Sequence, residues 1–363
     1  MATDSHLRFA LAVHAALGAA GGNSCFSPYS VASALTLAAR AARGETRDEL
    51  VALLGDPDQQ TALLREAVQT VEEARGEQAE VAVSNTLWAD DRLPLEDSFK
   101  AELAAWPGAA VASAPFEKEP EAARALINED VGRTTRGLIP ELLPPGSIAS
   151  DVAAVLVNAL YLKAAWKLPF REANTTDAPF HAPSGTRDVP TMWLSERVGY
   201  AHVAGWQAVQ LVAAGGFQAV VLLPDGDLAE AEAALDQATL TSVLDGIGFK
   251  AVELALPKIS LDVPSTLTGV LRGLGVRTMF TDEADLSGLS PDPRLTVSEV
   301  VHQAVLRVDE QGFEGAAATA LIMRLTSMII DDPVTVTVDR PFLLLVRHAG
   351  TGALHFLARV VEP

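Results

Sequence analysis

Cysteine is nearly absent: Cys25 is the sole one in 363 residues, so no disulfide framework can form within the chain. Its neighbours in NSCFSPYSV are apolar, and a buried, inert thiol is expected. Positive charge is scarce as well, with 27 Lys and Arg against 47 Asp and Glu and a net charge of −20. Most of such a surface repels a phosphate backbone, which argues against nucleic acid as a partner. No run approaches the roughly 18 apolar residues of a membrane span, so no membrane partner is expected. No repeat with a period of about 20 to 50 residues is present, and no linker rich in Ser, Gly or charge divides the chain.

Conventional catalytic signatures are missing too. There is no Gly-x-Ser-x-Gly elbow, His-Glu-x-x-His, Cys-x-x-Cys or Walker loop. Gly273-Leu274-Gly275 and Gly350-Thr351-Gly352 open glycine patterns without the third glycine, and the seven histidines are scattered. The expectation is a protein that is no enzyme and uses neither metal nor cofactor.

What the chain does have is apolar substance. Hydrophobic residues make up 49% and charged ones 20%, so a large core is possible and disorder is not expected. Length alone suggests two domains, but without a linker one domain over residues 1–363 is the better reading. The N-terminal MATDSHLRFALAVHAALGAAGG reads as an amphipathic helix capped near Asp4 or Ser5 and stopped by Gly21-Gly22. It lacks the basic region and continuous apolar core of a leader. The cytoplasm is therefore expected, or secretion if a leader has been removed.

Helical signals crowd the first third. Ser27-Pro28 starts a helix that runs to Gly44, because Ser can cap the free amides and Pro fits the first helical position. Thr46 to Glu49 reads as a capping box opening a short helix that Gly55 ends, and a further helix is expected within residues 60–76. Residues 81–89 suggest a strand, 97–106 and EAARALINEDVGRTT helices, and VAAVLVNALYL (152–162) a buried strand. FQAVVLLP, AVELALPKISLDV, TVTVDRPFLLLVRH and ALHFLARVV make the second half rich in strands. Segregated α+β layers follow from that order.

One stretch stands apart, HQAVLRVDEQGFEGAAATALIMRLTS from His302 to Ser327. It opens as a strand with period-two character, passes a charged turn at Asp309 to Gly312, and continues into very small residues. Beyond them lies LIMRLTSMII, closed by Asp331, Asp332 and Pro333. A long apolar loop is unusual inside a domain and tends to be functional, while an Ala-rich surface helix is the competing reading.

These residues resemble the hinge and reactive-centre loop of the serpins, the serine protease inhibitor superfamily. The family hinge reads approximately Glu-x-Gly-Thr-Glu-Ala-Ala-Ala; Glu310, Gly312, Glu314, Ala316, Ala317 and Ala318 occupy matching positions. Other landmarks follow in family order. Asn23, Phe26, Ser27, Pro28 and Ser30 match one signature, and Asn128, Thr135, Gly137 and Ile139 another. Asn158, Tyr161, Lys163, Trp166 and Phe170 match a strand signature. Leu223-Pro224-Asp225, Leu256-Pro257-Lys258, FTDEADLSGLS and Asp339-Arg340-Pro341-Phe342 match later ones.

The resemblance implies an α+β serpin fold, with helices around a large main β-sheet, smaller sheets and an exposed reactive-centre loop at about residues 310–332. It implies a bacterial-type inhibitory member that traps a chymotrypsin- or elastase-like serine protease as a covalent acyl-enzyme, after loop cleavage and insertion into the sheet. The alternative is a non-inhibitory serpin acting as carrier, chaperone or storage protein. Family counting places the reactive bond sixteen residues after Glu310, between Thr326 and Ser327, with Leu325-Thr326 and Met328-Ile329 as alternatives. The hinge comprises Glu310, Gly312, Phe313, Glu314, Gly315, Ala316, Ala317 and Ala318. Ser27, Ser30, Asn158 and His302 are expected to form a shutter beneath the sheet, and Trp166, Lys258 and Glu310 a breach where the loop enters. Phe313 stands where the family usually has a modest residue, so its bulk is expected to affect insertion, and Asp130 replaces a common aromatic. Residues 60–80 hold two Arg against five Glu, so no heparin partner is expected, and the chain should be a monomer.

Overall fold

The computed structural model describes residues 2–19, 21–73, 79–103, 109–292, 295–313 and 332–363. The hinge residues Glu314, Gly315, Ala316, Ala317 and Ala318, and the reactive-bond residues Leu325, Thr326, Ser327 and Met328, lie outside the described residues.

Helices α1 (Ala2–Gly18), α2 (Pro28–Ala41), α3 (Gly44–Leu54), α4 (Pro57–Glu73), α5 (Asp97–Leu103) and α6 (Pro120–Thr134) come first. The Ser27 hydroxyl accepts the Ser30 amide at 3.1 Å, with Pro28 in the first helical position. Apart from Arg40, every residue of α2 is buried, as befits a helix apolar on all sides and threaded through the core. The capping box expected at Thr46–Glu49 does not form. α3 starts earlier, at Gly44, with no side-chain cap from Arg43. The Thr46 hydroxyl instead accepts the Asp285 amide at 3.0 Å, and Glu49 accepts the amides of Arg277 and Thr278, each at 2.8 Å. Those side chains serve a distant loop and not their own helix.

Among the described residues, six strands form the sheet that carries the candidate site: β1 (Ala79–Asp90), β2 (Ala109–Ala114), β3 (Ala154–Ala165), β4 (Ile259–Thr266), β5 (Glu299–Val308) and β6 (Gly312–Phe313). Their spatial order is β4-β5-β6-β3-β1-β2, with β5 also paired directly to β3. Alternation splits β3 cleanly. Val155, Val157 and Ala159 meet Ile127 and Val131 of α6, while Leu160, Leu162 and Ala164 point into the core shared with the second sheet. That second sheet has nine strands among the described residues. Helices packed around a main β-sheet with a further sheet beside it are the α+β architecture expected.

Candidate functional site

The site grows out of an interrupted pairing. β3 and β5 run parallel and pair in register from Val155↔Glu299 to Leu160↔Ala304. Beyond that point another piece of chain separates them. After Val308 the backbone reverses through Asp309, whose carboxylate accepts the amides of Gln311 at 2.8 Å and Gly312 at 3.2 Å. β6 then enters the opening, with Gly312 opposite Ala165 and Phe313 opposite both Ala164 and Val308. It is antiparallel to both neighbours.

Two features of β6 are demanding. Gly312 has φ of +151°, and a Cβ there would lie 2.1 Å from the Ala164 carbonyl oxygen, so only glycine fits. Phe313 is 1% exposed, and its ring lies 4.7 Å from that of Trp166. Its bulk is housed within the sheet, beside Trp166 and opposite Ala164 and Val308. Trp166 holds the turn as well, donating from its indole to the Asp309 carbonyl at 2.8 Å and from its amide to the Gln311 carbonyl at 2.9 Å. Phe170 donates its amide to the Glu310 carbonyl at 3.0 Å.

Lys258 lies 2.8 Å from the Glu310 carboxylate, and Thr175 donates to its other oxygen at 2.6 Å. Glu310 is no surface acid: its side chain is 5% exposed, against 41% for Lys258. Burial pushes its carboxyl pKa upward, but the hydrogen bonds from Lys258, Thr175 and its own backbone, with the charge of Lys258, together outweigh this and hold it below the usual range. Sequence reading gave no hint of Thr175.

A polar row crosses the sheet lower down. Asn85, Asn158 and His302 are cross-strand partners on β1, β3 and β5. The Ser27 amide can only donate, so His302 Nε2, 3.0 Å away, must be the bare nitrogen. His302 Nδ1 then carries the proton and donates to the Asn158 carboxamide oxygen at 2.6 Å. Asn158 in turn donates to Asn85, which also accepts from Ser30 at 3.2 Å and donates to Ser33 at 2.9 Å. Burial of the imidazole lowers the His302 pKa to about 4, against a smaller opposing effect of its Asn158 bond, so the ring is neutral at pH 7. The structure thus brings Ser27, Ser30, Asn158 and His302 together around Asn85 and Ser33, which the sequence did not single out. A polar residue amid the apolar VAVSNTLWA was the available signal for Asn85. Asp130, on α6, accepts from the Ser84 hydroxyl of β1 at 3.2 Å and so ties the covering helix to the sheet.

Chemically, this arrangement supplies no nucleophile aligned with a base. It supplies a junction in the sheet: β6 lies between β3 and β5 at one end, and the His302–Asn158 bond bridges the same two strands where they pair directly. Among the described residues, no group of three or more His, Cys, Asp or Glu is placed to hold a metal ion.

A family model described as Serpin (serine protease inhibitor) matches residues 4–363. Serpin-Z2A of rice (Oryza sativa subsp. japonica) is 32% identical over 94% of this chain and 92% of its own length. Corticosteroid-binding globulin of rabbit (Oryctolagus cuniculus) is 32% identical over 94% of this chain and 90% of its own. The crystal structure of uncleaved ovalbumin superposes with a TM-score of 0.88 at 24% identity, covering all of both chains. That likeness establishes the fold. The relatives named are from a plant and a mammal and lend no support to the bacterial-type placement.

Proposed function

The chain belongs to the serpin family, and from that premise we propose that it is a suicide inhibitor of chymotrypsin- or elastase-like serine proteases, acting as a single monomeric domain without heparin or any cofactor. The observation that carries this reading is β6, seated between two parallel strands and antiparallel to both.

The protease serine attacks the Thr326 carbonyl carbon. Its Oγ–C bond forms, the Thr326–Ser327 C–N bond breaks, and the departing Ser327 amine takes up the proton. Freed from its downstream tether, the chain after Phe313 extends β6 down the gap and carries the acylated protease away before water can release it. Six parallel residue pairs give way to two antiparallel ladders, the stabler geometry per residue. Roughly a dozen new backbone bonds at about 0.5–1.5 kcal/mol each outweigh the distortion imposed on the protease. The shutter at Ser27, Ser30, Asn158 and His302 resists premature opening, and the Lys258–Glu310 latch with Trp166 holds the entry point.

A carrier role is the second reading, and the relatedness to corticosteroid-binding globulin favours it. The hinge favours inhibition, since no charged residue or proline occurs from Gly315 to Ile322. Mixing the protein with chymotrypsin or elastase should give an SDS-resistant complex and release a peptide beginning at Ser327, or at Thr326 or Ile329. Trypsin should complex poorly. Ready complex formation with trypsin and a peptide beginning at Leu325, or no complex with any of the three, would overturn the proposal.

A further inference from the structure

Resting on that inhibitory reading, we propose that Phe313 is a positioning residue, an aromatic anchor that keeps the first register of the inserting strand occupied before any protease arrives. Three observations converge on it. Phe313 is 1% exposed and packs on Trp166 at a ring separation of 4.7 Å, within a core cluster that also holds Ala164 and Val308. It pairs with Ala164 and Val308 at once, so the hinge already occupies the lane a longer strand would follow. The turn feeding it is held by donors from one short segment: the Trp166 indole, the Trp166 amide and the Phe170 amide, bonded to the carbonyls of Asp309, Gln311 and Glu310. Dislodging Phe313 therefore loosens the whole turn.

The functional consequence is kinetic. Insertion competes with hydrolysis of the acyl-enzyme, and forming the first contacts of a new strand costs more ordering entropy than extending one already begun. An anchored hinge removes that first step. Downstream, Glu314, Gly315, Ala316, Ala317 and Ala318 are small apart from Glu314, so no bulky apolar side chain follows the anchor until Leu321. Bulk at Phe313 thus assists trapping, because its burial precedes cleavage.

The test compares wild type with Phe313→Thr, which keeps strand propensity but removes the ring, and Phe313→Leu, which restores apolar burial. Hydrogen exchange at the Trp166 and Phe170 amides reports on the anchored turn. Moles of inhibitor consumed per mole of chymotrypsin or elastase trapped report on insertion. In Phe313→Thr both amides should exchange about tenfold faster or more, the shift expected when a large buried apolar side chain is lost. Inhibitor consumption should at least double as more acyl-enzyme hydrolyses, and Phe313→Leu should recover most of both effects. Unchanged exchange, or quickened exchange with unchanged consumption, overturns the anchor. If wild type traps neither protease, the inhibitory reading has failed, and exchange alone then decides whether Phe313 anchors the turn. Should Phe313→Thr not fold, Trp166→Phe probes the anchor from the other side, and unchanged Phe170 exchange there counts against it.

Discussion

Replacing His355 with leucine should make the protein more tolerant of acid, by an amount the core geometry sets. His355 is fully buried, stacks on Tyr29 at 4.6 Å and meets Phe217 edge-on at 5.0 Å. Neither of its ring nitrogens has a hydrogen-bond partner among the described residues. Burial pushes its pKa down from 6.5 to about 3, with smaller contributions from the neighbouring His348 and His6. Because the folded-state value lies below the unfolded one, acid favours unfolding. The group's stability contribution is whole above about pH 6.5 and is lost progressively as the pH falls towards 3. At pH 5 the loss comes to about 2 kcal/mol. His355→Leu abolishes it. At pH 7 the substitution breaks no hydrogen bond and removes buried unsatisfied nitrogens, worth about 1–3 kcal/mol, against a loss of ring packing of about 0.5–1.5 kcal/mol. Guanidinium unfolding followed by circular dichroism at pH 7 and pH 5 measures both terms. Taking the difference between variant and wild type cancels the shared effect of discharging an acidic surface. The variant should be as stable as wild type or up to about 2 kcal/mol more so at pH 7, with a further gain of about 2 kcal/mol at pH 5. An unchanged pH dependence would refute the reasoning.

Gly312→Ala should drive β6 out of the sheet, because the added methyl would lie 2.1 Å from the Ala164 carbonyl oxygen. Loss of the protease complex with intact loop cleavage is the expected gel result, and normal complex formation would count against the hinge geometry. Ala318→Arg should turn the inhibitor into a substrate: extending the alternation from Phe313 puts residue 318 on the face towards α6, where an unpaired charge is costly to bury. Unchanged inhibition stoichiometry would contradict that register.

Much of the frame was legible because local chemistry and tertiary need coincide. Ser27 caps α2 as its sequence suggested, and the apolar runs around Leu156 and Leu344 are buried strands. Where side chains serve distant partners, local reading fails. Thr46 and Glu49 look like a capping box and instead bind a loop more than 200 residues away. Strand Gly185–Val203 went unrecognised because its burial changes rhythm along its length, as it pairs in turn with three neighbours. Asp227 and Asp236 cap two helices whose signals were present but passed over. Family resemblance singled out Glu310, Trp166, Asn158 and His302, whose contacts the structure describes, but the burial of Glu310 and the seat of Phe313 depend on which strands flank the turn. Periodicity carries no such information.

Thermal melts of the intact and loop-cleaved protein, in one buffer and at one scan rate, test the central claim most directly. Cutting a chain ordinarily destabilises it. On the proposed mechanism, the uncut loop would be tethered at both ends and unable to part β3 from β5, which would leave the native state kinetically trapped above a more stable form. Cleavage near Thr326 should let β6 lengthen into a full antiparallel strand, and the cleaved protein should melt at the higher temperature. A cleaved form that melts at the same temperature or lower would contradict the account, leaving the fold without the mechanism.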